Sequence, residues 1–198
     1  MRYLILFFVI QFATLTSKTQ DLNLGEVRYD SALNCSNSRL MEFDKNFNAP
    51  DICDSKNDLE IRLKMFVFPG GKSELVILSY KGGVWDAKKY ILDRGRLGRK
   101  LTTISFIPPD WDTTTVKRTC TDILNCLIED RIFLLPDQSE LKHDMNVMDG
   151  VRFVISYKAD KLFRAYSYSN PDNYHEQHPD SREYAHIMEI VKTLRGLF

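Results

Sequence analysis

Neither sign of charge is in excess: 27 basic side chains stand against 27 acidic ones. The chain therefore lacks the basic surface with which a general nucleic-acid binder displaces counterions from phosphates. No internal repeat at solenoid or propeller spacing is present. Past residue 15 no apolar run approaches the roughly 20 residues that a helix needs to cross a bilayer. There is no Gly-x-Ser-x-Gly turn for a nucleophilic serine and no closely spaced C-x-x-C pair for zinc. What is present is 43% hydrophobic and 12% aromatic residues over 198 positions. That composition excludes a disordered tail, collagen and a coiled coil and predicts one folded domain.

The first residues, Met1-Arg2-Tyr3, are a short basic head. They lead into Leu4-Ile5-Leu6-Phe7-Phe8-Val9-Ile10 and Phe12-Ala13-Thr14-Leu15, with a small-x-small site at Ser17-Lys18-Thr19. Basic head, apolar run and small residues in this order are a secretory signal. The expected organisation is a signal peptide over 1–19, a loop-rich segment over 20–58 and a single domain over 59–198. The mature chain starts at Gln20, with no transmembrane anchor after cleavage, and is secreted or periplasmic.

An oxidising compartment allows disulfides. The four cysteines, Cys35, Cys53, Cys120 and Cys126, permit three full pairings. Cys35 with Cys53 is preferred, because both lie in the polar N-terminal segment. Closing a loop of that size stabilises by about 3 kcal/mol in the chain-entropy view. On one continuous helix Cys120 and Cys126 have Cα atoms about 9 to 10 Å apart, beyond the reach of a disulfide. Either the helix breaks near Asn125, or Cys120 is buried and Cys126 is free.

Residues 20–58 are rich in Asn, Asp and Ser and show no apolar period. From Glu60 the pattern alternates, with Ile61, Leu63, Met65 and Val67 on one face and Glu60, Arg62 and Lys64 on the other, the signature of a half-buried strand. Pro69-Gly70-Gly71 turns the chain. Leu75-Val76-Ile77-Leu78 is then a continuous apolar run suited to a strand covered on both faces. Val84–Leu92 reads as a further strand, although Val84, Ala87, Lys88 and Ile91 also fit a helical spacing, and Leu101–Ile107 reads as another, ended by Pro108-Pro109. Asp110-Trp111-Asp112-Thr113 opens a helix whose buried positions are Val116, Cys120, Ile123, Leu124 and Leu127. Ile132–Leu135 reads as a short strand. Val151–Tyr157 and Leu162–Tyr168 read as a hairpin, and a last helix, capped by Asp180 with Glu183, carries Tyr184, Ile187, Met188, Val191 and Leu194. The expected fold class is α+β: an antiparallel sheet built from hairpins with two amphipathic helices on one face.

Four groups of side chains carry candidate chemistry. Gly70-Gly71-Lys72-Ser73 has the tail of a phosphate loop, but Phe66 stands where its first glycine belongs and a strand follows in place of a helix. His175 and His178, with Glu183 and His186, gather zinc-type ligands, although the spacing is not that of a helical His-Glu-x-x-His site and a solvated turn explains it as well. Arg94 and Arg96, beside Trp85, belong to the one basic cluster. It suits an anionic polymer, a lipid head group or an acidic partner, and equally a charged strand edge. Tyr166, Tyr168 and Tyr174 suit ligand stacking or a protein interface, and equally core packing.

Tyr166-Ser167-Tyr168-Ser169-Asn170-Pro171-Asp172-Asn173-Tyr174, followed by Pro179-Asp180-Ser181-Arg182-Glu183, resembles segments of uncharacterised exported bacterial proteins. Leu134-Leu135-Pro136-Asp137-Gln138 adds to the likeness. It spans about a third of the chain and brings no activity with it; what it implies is a small exported domain.

The residues together predict an exported soluble domain, a non-catalytic binding or interaction module of the cell envelope. Its partner is a protein or an envelope component, with no nucleic acid and no cofactor. The competing expectation is a small metal-dependent hydrolase using the His175, His178 and His186 region.

Overall fold

The computed structural model of the chain describes residues 22–29, 46–95, 98–106, 122–141, 149–160 and 162–198. Residues 1–19, expected as a signal peptide, Cys35, Arg96, Cys120 and the expected helix start at Asp110–Thr113 lie outside the described residues. The architecture is α+β. Its strands are β1 (Leu59–Phe68), β2 (Ser73–Lys81), β3 (Val84–Gly95), β4 (Gly98–Phe106), β5 (Gly150–Ala159) and β6 (Leu162–Ser169). The helices are α1, described over 122–129, α2 (Pro171–Gln177) and α3 (Arg182–Arg195). The strands form one antiparallel sheet in the order β4-β3-β2-β1-β5-β6.

The alternating residues of β1 divide the molecule. Leu59, Ile61, Leu63 and Met65 face the main core with Val76 and Leu78 of β2, Ile155 and Tyr157 of β5, Leu124 and Leu127 of α1, and Tyr184, Ile187 and Leu194 of α3. Glu60, Arg62 and Lys64 point the other way, as alternation requires, yet they are not solvated. Their exposures are 4%, 1% and 0%. This corrects the expectation of a half-buried strand. Residues 46–57 fold over the polar face and seat Phe47 against Phe66, Leu75, Ile77, Leu92 and Val154, and Ile52 against Phe163.

Turns follow the backbone chemistry of their residues. Gly82 and Gly83 join β2 to β3 with φ 54° and 90°, the positive values that a two-residue turn matched to strand twist demands. Asp58 Oδ2 accepts from Gly82 N–H at 2.7 Å and ties this tip to the start of β1.

Three local expectations are corrected. Residues 132–135 form a turn, not a strand: Arg131 takes φ 60° and its carbonyl accepts from Leu134 and Leu135, so those amides are withdrawn from any ladder. Residues 171–177 form a helix where a turn was expected, because Pro171 sits at the first helical position, where its missing N–H costs nothing. Helix α3 takes Ser181 as its N-cap in place of Asp180; the Ser181 hydroxyl donates to Glu183 Oε2 at 2.9 Å. Helix α1 runs through Asn125 unbroken, and Cys126 on it is free and exposed. Among the described residues no helix is long and apolar enough to cross a membrane.

Candidate functional site

A concavity lies on the polar face of the sheet. Its roof edge is the segment 50–57, called the strap below, and its floor is formed by β1, β2 and β3. The strap is fixed at several points. Asp51 accepts from Cys53 N–H at 2.9 Å and caps the short 3-10 turn Ile52–Asp54. Lys158 of β5 donates to the carbonyls of Cys53 and Ser55, each at 2.8 Å.

The third fixing point is charged. Glu60 and Arg62 are two residues apart in β1 and so share a face. Arg62 donates to Glu60 Oε1 from Nε at 2.7 Å and lies 2.5 Å from it through Nη2. Glu60 Oε2 accepts from Ser55 Oγ at 2.5 Å and from Asn57 Nδ2 at 2.7 Å. Both carboxylate oxygens are therefore occupied by protein donors, which is what makes burial of the charges tolerable. The pair anchors the strap to the sheet.

Beside this anchor the cleft opens to about 560 Å³, within the range of small-ligand sites. Ile77, Val84 and Tyr90 give it an apolar strip, and Val84 is 68% exposed. Lys88 and Asp86 pair at 2.9 Å on the β3 side. The hydrogen bond and charge of Asp86 outweigh partial burial and hold the Lys88 ammonium above the usual lysine range. Basic and acidic side chains line the cleft in equal number. The Ser55 and Ser79 hydroxyls that line it donate to Glu60 Oε2 at 2.5 Å and to the Asp86 carbonyl at 3.4 Å.

The tyrosines predicted as a binding group are brought together, but in the core. Tyr166 and Tyr168 are fully buried, and their rings meet edge to face at 6.2 Å. Tyr168 continues to Tyr184, which stacks on Tyr174, and Tyr174 stacks on His178. The Tyr166 hydroxyl donates to the Ile132 carbonyl and that of Tyr168 to the Pro136 carbonyl, both at 2.8 Å. Burial pushes both phenols above the ordinary tyrosine range. Trp85 is buried against Tyr80, ring centroids 4.9 Å apart, and Arg94 stands opposite Arg99 in the β3–β4 ladder.

The two stretches that carry the resemblance also meet here. Asp137 Oδ2 accepts from Ser167 N–H at 2.8 Å and Gln138 Oε1 from Ser169 N–H at 2.6 Å. Side chains thus take the place of a neighbouring strand along the outer edge of β6.

The histidines are dispersed. His175 Nδ1 is buried with no hydrogen-bond partner, His178 lies on Tyr174, and His186 Nδ1 is 3.5 Å from Asp130 Oδ1. Glu183 and His186 line a separate cavity of about 340 Å³ with Arg131 and Arg182. Backbone and Ser181 hydrogen bonds hold the Glu183 carboxyl below its ordinary range. Among the described residues no group of three or more His, Cys, Asp or Glu is placed to hold a metal ion.

Sequence reasoning missed the cleft. The available signal was a conflict between neighbours. An apolar run at Leu75–Leu78 requires cover on both faces of the sheet, and β1 beside it cannot then leave Glu60 and Arg62 in water. Comparisons with protein-family models, with curated proteins and with solved structures find no match for this chain.

Proposed function

We propose that this protein is an exported, non-catalytic binding module of the cell envelope whose ligand site is the strap-edged cleft on the polar face. In this reading the antiparallel sheet is a platform. Two amphipathic helices back one face, and the strap, anchored by the Glu60–Arg62 pair, shapes the other. The observation that carries the proposal is the cleft itself, an apolar strip framed by balanced charges. The basic head, apolar run and small-residue site at the N-terminus support export, and the expected Cys35–Cys53 bridge would add a covalent hold on the strap.

Native mass spectrometry of the protein purified from its own exported fraction tests this. The expected result is a mature chain beginning near Gln20 that carries a small molecule, with that mass lost when Tyr90 and Lys88 are changed to alanine. A bound mass that survives those changes but disappears on replacing His175 and His178 would overturn the assignment.

A further inference from the structure

We infer that the cleft takes a zwitterionic ligand of short-peptide size, with its carboxylate toward Lys81 and its ammonium toward Asp54. This inference rests on the reading of the cleft as a binding site. The charges left unpaired in the cleft, Asp54 against Lys56 and Lys81, are of both signs, so a ligand of single sign would leave one kind without a complement. The charges are also unequally available. Glu60 and Arg62 are bound to each other and to the strap, Asp86 is bound to Lys88, and Asp51 is bound to a backbone amide. The side chains of Asp54, Lys56 and Lys81 make no hydrogen bond or ion pair among the described residues.

Those three groups stand on different elements. Asp54 and Lys56 belong to the strap, whereas Lys81 ends β2 at the hairpin tip. Val84 stands opposite Lys81 at the tip, and Ile77 and Tyr90 lie further along β2 and β3, giving apolar lining suited to a side chain beside the charged groups. A neutral sugar would use the ring of Tyr90 but leave the charges of Asp54 and Lys81 without a complement.

Calorimetric titration with the tripeptide Ala-Tyr-Ala provides the test. The probes are the form with both termini free, the form with acetylated and amidated ends, and maltotriose. Binding of the free form, at least tenfold weaker for the blocked form and absent for maltotriose, is expected. Asp54→Asn and Lys81→Met should each weaken the free form about tenfold without shifting the urea midpoint, because both side chains are exposed. Equal binding of the blocked form, binding of maltotriose, or no binding of the free form would overturn the inference. If a cleft-dependent mass is still found by native mass spectrometry, only the ligand class has failed. If the isolated protein is bare as well, the binding site itself has failed.

Discussion

Arg62 and Glu60 form an ion pair within a single strand, Nη2 to Oε1 at 2.5 Å, with both side chains at or below 5% exposure. Removing one member strands a buried charge, whereas replacing both with apolar groups leaves no buried charge and costs only the acceptor of Ser55 and Asn57. Arg62→Ala should therefore lower the unfolding free energy by about 3 to 5 kcal/mol, and the double change Glu60→Leu with Arg62→Met by much less. Urea unfolding of the singles and the double measures this. Losses below about 1 kcal/mol in Arg62→Ala would show that the pair does not anchor the strap.

Phe47 tests whether the N-terminal segment belongs to the domain. It is fully buried against side chains of β1, β2, β3 and β5. Phe47→Ala should cost about 3 to 5 kcal/mol, the range for emptying a buried aromatic site. A change within about 0.5 kcal/mol would mean that the strap is not fastened to the sheet. Backbone amide exchange at Ser55 and Asn57 should accelerate in the same variant.

How much of this was legible varies with how local the cause is. The strands showed in their own periods, and the continuous run in β2 announced cover on both faces. The burial of Glu60 and Arg62 was illegible in β1 alone, because it depends on Phe47 and Ile52 folding back from a stretch without period. Tyr166 and Tyr168 were legible as a group but not as core. Their hydroxyls are matched by carbonyls of Ile132 and Pro136, more than 30 residues away, and no local pattern encodes that distance. The 132–135 turn was missed because four apolar residues read as a strand until the positive φ of Arg131 is known.

The buried phenols set an alkaline limit. Burial raises the folded-state pKa of Tyr166 and Tyr168 above the unfolded value of about 10. The folded protein then holds protons that the unfolded chain has lost. This contribution is fully present below about pH 10 and is lost as pH rises above it. The unfolding free energy should fall above that pH. In Tyr166→Phe the fall should be shallower and the neutral-pH stability about 1 kcal/mol lower, through loss of the hydrogen bond to Ile132. Ionisation of these tyrosines before unfolding, seen by ultraviolet difference absorbance, would contradict the account.

Glu183 acts at the opposite end of the pH scale. Its carboxyl is held below the usual value by backbone and Ser181 donors, so its contribution is present above about pH 4.5 and lost as pH falls through the lowered value. Glu183→Gln should flatten the acid limb of the stability profile. An unchanged acid limb would remove α3 capping from the explanation.

Gly150 opens β5 with φ 127°, and a Cβ there would lie 1.9 Å from Asn170 Oδ1. That Asn170 oxygen accepts from Val151 N–H at 2.7 Å, and its amide nitrogen donates to the Asp149 carbonyl at 2.8 Å. Gly150→Ala should cost about 2 kcal/mol or more, because both the clash and the backbone conformation oppose it. Thermal unfolding reads the loss, and a neutral result would show that Asn170 is free to move.

The most direct test of the proposal that the cleft is the binding site is an amide chemical-shift map of the protein titrated with the small-molecule fraction of an extract of the cells that make it. Shifts concentrated at Ser79, Lys81, Asp86, Lys88 and Tyr90 are predicted, with residues 131–136 and 180–186 unmoved. Shifts confined to the cavity beside Glu183 and His186, with the cleft silent, would contradict it.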